Sequence, residues 1–375
     1  MGKILVVGAG FAGAVFSREL ASAGYQVDVI DKRPHIAGNA YDETSPEGIR
    51  VHRYGPHLFH TNNKIVVDWL CQFGSFVNYE HEVQALLPDG RAVPFPVNRT
   101  TINMVFDEHL QTEQDVKHFL SRLALPIVSP ANAAEYLQAN IGTLLTDLFF
   151  RPYTKKMWEM DLEEMAPEVV KRIPIRFDDE RRYFPNDRYQ IMPRDGYTAI
   201  FEKIFSHKNI KIHLNQVFDK YMLSEYYHCF NSMPIDEYFD YCFDPLPYRS
   251  IAFHHKTVPS FTSSGVAAVT NFTDAGPRTR QTDWSAIPCH VVMDTGMKVL
   301  TQEEPCDYLI NNRERYYPVK TSDGRYDQIY QKYKSQSTLE KNITFIGRCG
   351  TYQYLDMHQV INQSLNTVWS WLNKQ

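Results

Sequence analysis

The sequence predicts an α/β fold: a Rossmann-like dinucleotide-binding domain interrupted by an inserted helical domain and an antiparallel β-sheet domain. Three observations carry this. Residues 3–33 read as apolar strand, glycine turn, helix and second apolar strand. The middle of the chain shifts to helical periodicity and then to alternating β-branched runs. Its end returns to the opening style, a short buried strand closed by glycine and followed by a helix.

In the opening unit, Gly8-Ala9-Gly10-Phe11-Ala12-Gly13 follows the first strand. Gly8 permits the tight turn, Gly10 lets a pyrophosphate approach the backbone, and Gly13 lets the helix pack close to the sheet. The anion then rests on unpaired N–H groups at the helix N-terminus. Asp31 stands 21 positions after Gly10 at the end of the second strand. A carboxylate there accepts hydrogen bonds from an adenosine ribose and repels a 2′-phosphate, which selects FAD or NAD over NADP. The competing reading is a glycine-rich strand–helix turn that binds nothing. A second small-residue turn, Ile36-Ala37-Gly38-Asn39, favours FAD, because flavoproteins support the cofactor further along the backbone.

A length of 375 residues exceeds what one hydrophobic core serves, so two or three domains are expected. A formal charge of −5 leaves no basic footprint for nucleic acid. The apolar run 4–16, with Ala-Ser-Ala at 21–23, imitates a signal peptide. The glycines inside it and Arg18-Glu19 behind it assign it to a buried strand and helix. No other apolar run reaches bilayer length, so no membrane insertion is expected and the location is cytoplasmic. The six cysteines show no C-x-x-C and no histidine at metal spacing, which predicts reduced, mostly buried thiols. The 23 tyrosines suit a site that stacks rings and binds phosphates or sugars, although core packing accounts for most of them.

Residues 49–61 begin as a strand and end in Gly55-Pro56 with His57 and His60 three apart; no further ligand stands near, so no metal is expected. Residues 83–95 read as a strand pair turning at Asp89-Gly90, and 102–170 as helices broken at Pro126, Pro130 and Pro167. Arg172, Arg176, Arg181, Arg182 and Arg188 crowd one segment, where guanidinium forks match a diphosphate. A solvated loop balanced by Asp178, Asp179 and Glu180 is the plainer alternative. Strands are predicted at 210–217, 250–258, 265–272, 289–299 and 342–348. A helix follows from near Asp356 to Trp371, its N–H groups suited to a flavin's carbonyl edge. The Rossmann-like domain then comprises 1–80, 205–245 and 315–375, the helical domain 98–180, and the sheet domain 81–97, 181–204 and 246–314.

With these motifs in view, the chain resembles the UDP-galactopyranose mutases nearly end to end. The resemblance rests on Gly8–Gly13, Ile36–Asn39, Gly55-Pro56-His57-Leu58-Phe59-His60-Thr61 and Tyr153-Thr154-Lys155-Lys156-Met157-Trp158. It continues through Lys171-Arg172-Ile173-Pro174-Ile175-Arg176-Phe177, Asn271-Phe272-Thr273-Asp274, Tyr316-Tyr317-Pro318-Val319 and Asp356-Met357-His358-Gln359-Val360-Ile361. It implies an isomerase in which reduced FAD attacks the sugar through N5, forming a flavin–sugar adduct that opens and recloses as the other ring form. It implies a role in cell-surface polysaccharide biosynthesis, a nucleotide-sugar substrate and a homodimer.

By the same resemblance Arg176 and Arg348 stabilise the departing diphosphate, and Tyr183, Tyr317 and Tyr354 donate hydroxyl hydrogen bonds. Tyr153 stacks on the nucleobase, Trp158 and Asn271 line the substrate site, and His57 and His60 flank the flavin. Lys32, Leu58, Val217, Arg348, Asp356 and Met357 join the glycine turns and Asp31 as cofactor residues. Glu303 matches an acidic family position near the site and reads equally as a surface carboxylate.

The chain departs from the family at Thr351, where glutamate is common, at Leu355, at Ser232-Met233, and in a shortened stretch 274–280. These departures leave the sugar open. UDP-galactose ranks first and dTDP-fucose next, with UDP-N-acetylgalactose disfavoured by His57. The rivals from other classes are an FAD oxidoreductase of amine-oxidase type and a scaffold that keeps FAD for stability alone.

Overall fold

A computed structural model describes residues 2–171, 173–321 and 323–375. The opening strand, Lys3–Val7, is buried from Ile4 onward, as a strand covered on both faces must be. It lies at the centre of a five-stranded parallel sheet ordered Ile210–His213, Gln26–Ile30, Lys3–Val7, His228–Asn231 and Ile343–Phe345. Numbered along the chain this is 3-2-1-4-5. The winding reverses between the first and fourth strands, and the crevice at their carboxyl ends is where such sheets bind ligands.

The helix Phe11–Ser22 follows the glycine turn and packs on the closing helix Met357–Leu372. One carboxylate fixes this contact: Glu19 accepts the indole N–H of Trp69 and of Trp369, each at 2.8 Å. Asp356 and Gln359 cap the closing helix reciprocally, which explains its start where the sequence places it.

A second sheet has seven strands, ordered Tyr317–Pro318, Tyr248–Pro259, Met297–Asp307, Arg280–Asp283, Val269–Phe272, Val83–Leu86 and Ala92–Phe95. The hairpin at Asp89-Gly90 forms as expected. The sheet is mixed rather than wholly antiparallel, because Val83–Leu86 runs parallel to Val269–Phe272. These strands are distant in sequence, so no short turn dictates their relative direction. A strand over 289–299 does not form either: Val291, Val292 and Met293 are exposed and the strand begins at Met297. Three apolar residues in a row gave the β signal without a buried face to use it. Of the six cysteines, which form no disulfide, only Cys229 is buried, while Cys71 and Cys242 are exposed.

The inserted section contains the helices Arg99–Phe106, Glu113–Leu123, Ala133–Leu145 and Arg151–Trp158, packed over Phe149 and Phe150 in a core shared with Val83, Ala85, Val93, Phe95 and Val269 of the second sheet. Among the described residues, no helix is long and apolar enough to cross a membrane.

His52, in the antiparallel pair Asp42–Thr44 and Arg50–His52, and His290 are both fully buried with their Nε2 atoms 3.1 Å apart. His52 Nδ1 accepts the His57 N–H, and His290 Nδ1 donates to the Pro288 carbonyl. The single proton between the rings therefore sits on His52 Nε2, and both imidazoles are neutral. Burial holds both below the usual histidine range, His290 at about 4. The unfolded chain binds more protons than the folded one below the ordinary pKa of 6.5, so stability is full above that pH and declines as pH falls toward 4. The His290 imidazole is worth on the order of 3 kcal/mol over that window. Urea unfolding at pH 7 and at pH 4.5 is expected to show a clear drop in midpoint, reduced in a His290→Gln variant.

Candidate active site

A single cavity of about 1140 Å³ starts at the carboxyl ends of the parallel strands and runs to the second sheet and the helix Arg151–Trp158. Its first arm is built by the opening unit. Gly8 turns the chain at φ +100°, and a Cβ on Gly13 would stand 1.8 Å from the Gly8 carbonyl oxygen. Gly10 and Gly38 meet backbone to backbone, since a Cβ on Gly38 would lie 2.9 Å from the Gly10 Cα. Asp31 accepts the N–H of Ala9 at 2.8 Å on one oxygen and that of Arg33 at 2.9 Å on the other. Both oxygens keep a lone pair for a ligand hydroxyl.

Phe11, Ala12, Lys32, Asn39, His57, Leu58, Val217, Asp356 and Met357 line the same cavity. At the closing helix the Asp356 side chain takes the N–H of Gln359, while those of Met357 and His358 have no intrahelical acceptor.

His60 is fixed on three sides. Its Nδ1 lies 2.6 Å from the Asp187 carboxylate, its ring stacks on Phe184 with centroids 3.5 Å apart, and His358 meets its edge. The other nitrogen is thereby free to accept or donate. His60, Asp356 and His358 each bring one possible metal-ligating atom within 4.8 Å of the others, a grouping the His57/His60 spacing did not reveal. His57 donates to the Gly55 carbonyl at 2.8 Å, and burial, aided by the charges of Arg348 and Arg280, lowers its pKa to about 4. It is neutral at physiological pH.

The second arm centres on Arg348, in the short helix Gly347–Gly350 that follows the last parallel strand. Its guanidinium lies 5.5 Å from the Tyr317 ring centroid and 5.1 Å from that of Tyr354, and one Nη donates to the Tyr316 carbonyl. Its Nε is buried with no partner. Burial pushes the Tyr317 hydroxyl far above its ordinary pKa, so it remains an O–H donor. Beyond Tyr317 stands Trp158 at 6.2 Å, then Tyr153, whose hydroxyl accepts from Arg280 at 3.1 Å. Asn271 and Tyr183 complete this arm.

Arg280 was not anticipated, and Glu303 is no surface carboxylate. Glu303 is 2 % exposed, lines the cavity and pairs with Arg280 at 3.3 Å, and burial raises its pKa against the pull of that arginine. The signal for Arg280 lay in register: it stands directly opposite Asn271 across a hairpin.

Arg176 is the one assigned residue outside the cavity lining. It is 6 % exposed and donates to the carbonyls of Glu180 and Tyr183. The arginine-rich segment forms no clamp among its described residues. Arg181 pairs with Glu82, Arg182 with Glu80 and Glu180, Arg188 leans on Tyr189, and Arg172 lies outside the described residues. Acidic neighbours take the guanidinium groups of Arg181 and Arg182.

The family model for UDP-galactopyranose mutase matches residues 148–354, and that for the NAD(P)-binding Rossmann-like domain matches residues 6–73. The chain belongs to the UDP-galactopyranose mutase family. Family membership makes it an enzyme of the isomerase class. It is 35 % identical over 97 % of its length to a probable UDP-galactopyranose mutase of Klebsiella pneumoniae, covering 93 % of that protein. It is 34 % identical over 97 % of its length to a dTDP-fucopyranose mutase of Escherichia coli, covering 97 % of that one. The crystal structure of a reduced UDP-galactopyranose mutase superposes with a TM-score of 0.77 at 19 % identity, over 100 % of this chain and 96 % of the other, which establishes the shared fold of the mutase family.

Proposed function

We propose that the chain is a flavin-dependent mutase interconverting the pyranose and furanose forms of a nucleotide-diphospho-hexose, with UDP-galactose first and reduced FAD as cofactor. One observation carries this reading: the partnerless Nε of Arg348 is buried where the two arms meet. On one side its neighbour Gly347 abuts Ala12 of the dinucleotide turn, and on the other its guanidinium faces Tyr317 and Tyr354. An oxidoreductase needs no such cation there.

The first arm fits FAD. Bare backbone at Gly10 and Gly38 admits a pyrophosphate, and the Asp31 carboxylate keeps lone pairs for ribose hydroxyls. When bound and reduced, FAD supplies the electron pair that displaces the nucleoside diphosphate from the anomeric carbon, without net oxidation. Arg348 would meet the charge that grows on a departing diphosphate, and the hydroxyls of Tyr317 and Tyr354, whose rings flank that guanidinium, would add donors. Tyr153 stacks on the nucleobase and Trp158 lines the sugar site, where it sets the sugar's distance from the cofactor. His60, oriented by Asp187, stands ready to pass a proton beside the flavin. Arg176 reaches the diphosphate only by exchanging its two carbonyl partners for phosphate oxygens. Arg176→Ala is expected to cost about 10²-fold in turnover with flavin still bound, and unchanged turnover would remove that role.

A dTDP-linked 6-deoxyhexose is the second reading, favoured by the E. coli dTDP-fucopyranose mutase that matches the chain as fully as the Klebsiella protein does. The deciding experiment is to reduce the purified protein with dithionite and incubate it separately with UDP-galactofuranose and dTDP-fucopyranose, resolving ring forms by chromatography. Ring interconversion of one sugar, only with reduced flavin, is expected and names the substrate. Conversion of neither, with flavin turned over by a hydride donor, would move the assignment to an amine-oxidase type.

A further inference from the structure

The ammonium of Lys156 lies where three backbone carbonyls converge. Its Nζ donates to Arg278 O at 2.7 Å, Phe272 O at 2.9 Å and Asp274 O at 3.0 Å, with the Asp274 carboxylate at 3.4 Å. The side chain is 9 % exposed. Three protons meet three carbonyls, so the group's donor capacity is used in full.

Those carbonyls belong to the turn joining Val269–Phe272 to Arg280–Asp283, the hairpin that presents Asn271 and Arg280 to the cavity. Lys156 belongs to the helix Arg151–Trp158, which presents Tyr153 and Trp158. Tyr153 and Lys156 are three apart, hence neighbours on one helix face. One of them reaches the hairpin through the Tyr153–Arg280 bond inside the cavity, the other through the turn outside it.

We propose that Lys156 is a positioning residue for substrate: its ammonium locks the hairpin to the helix and so sets the width of the slot that takes the nucleotide end. The inference deepens the functional reading above and rests on it. Removing the ammonium takes away the one donor the three carbonyls share; water satisfies the exposed turn in its place, and the turn is no longer held to the helix. Among the described residues the Tyr153–Arg280 hydrogen bond is then what still joins the two elements, and the slot loosens. Arginine does not substitute, because a planar guanidinium cannot aim three protons at three carbonyls around one point.

The test compares Lys156→Met, Lys156→Arg and Tyr153→Ala in the flavin-loaded enzyme, reading UDP affinity, KM, kcat and flavin content. Lys156→Met is expected to weaken UDP binding and raise KM about tenfold, with kcat changed by less than about threefold and flavin retained. Lys156→Arg is expected to resemble Lys156→Met. Lys156→Cys treated with 2-bromoethylamine, which rebuilds a lysine-like ammonium on the sulfur, is expected to recover UDP affinity, with alkylated wild-type protein controlling for exposed Cys71 and Cys242. Unchanged UDP affinity in Lys156→Met while Tyr153→Ala weakens it overturns the proposal alone. Unchanged affinity in both overturns the assignment of this arm to the nucleotide as well. A Lys156→Met enzyme that loses kcat and flavin in step with KM shows a general packing role and also overturns it.

Discussion

Arg348→Ala is expected to lower kcat/KM by about 10³-fold while leaving the protein folded and yellow. The guanidinium's charge is held by neighbours that do not neutralise it: two tyrosine rings and the Tyr316 carbonyl. No carboxylate pairs with it among the ion pairs of the described residues, unlike Arg280 with Glu303 or Arg315 with Glu237. A cation so placed is available to a diphosphate, and in the proposed reaction its electrostatic benefit would grow as the glycosidic bond breaks. Arg348→Lys keeps the charge but loses the fork and is expected to recover part of the rate. Steady-state kinetics with flavin quantified by absorbance measures both. Loss of flavin together with activity would instead assign Arg348 to holding the cofactor.

Gly38→Ala is expected to yield a protein almost free of cofactor. Two costs combine there: a left-handed φ of +55° and a Cβ 2.9 Å from the Gly10 Cα. The second pushes apart the two backbone segments that meet at Gly10 and Gly38, where the proposed pyrophosphate would lie. Gly90→Ala separates the effects, because Gly90 has φ +87° with nothing within 4 Å of a Cβ. Strain of this kind costs about 1 kcal/mol and is expected to leave flavin content unchanged in Gly90→Ala. Equal flavin loss in both would point to strain rather than space.

The glycine turn, Asp31 and the capped closing helix were legible because each is a local pattern whose chemistry follows from adjacent residues. Asp356 and Gln359 cap a helix whatever lies elsewhere in the chain. The missing parts were those created by pairing. Arg280 and Asn271 became neighbours through hairpin register, His60 and Asp187 through the contact of two strands, Phe59–Thr61 and Tyr189–Pro193. Within the arginine-rich segment, pairing also decides which guanidinium groups are occupied. Those of Arg181 and Arg182 are matched by Glu80, Glu82 and Glu180, two of which lie about a hundred positions earlier in the chain. The run at 291–293 misled because β-branched residues signal a strand only where a sheet edge or core receives them.

The strand order has a consequence for biosynthesis. Lys3–Val7 hydrogen-bonds to His228–Asn231, which cannot reach it until residues 8–227 have been made, and His228–Asn231 in turn waits for Ile343–Phe345. On the ribosome, the first strand therefore emerges with an apolar edge that stays open through most of translation. Arg348, Asp356 and Met357 are translated later still, so the glycine turn exists long before the pocket around it closes. The first arm of the cavity is thus complete only once the closing helix has been made.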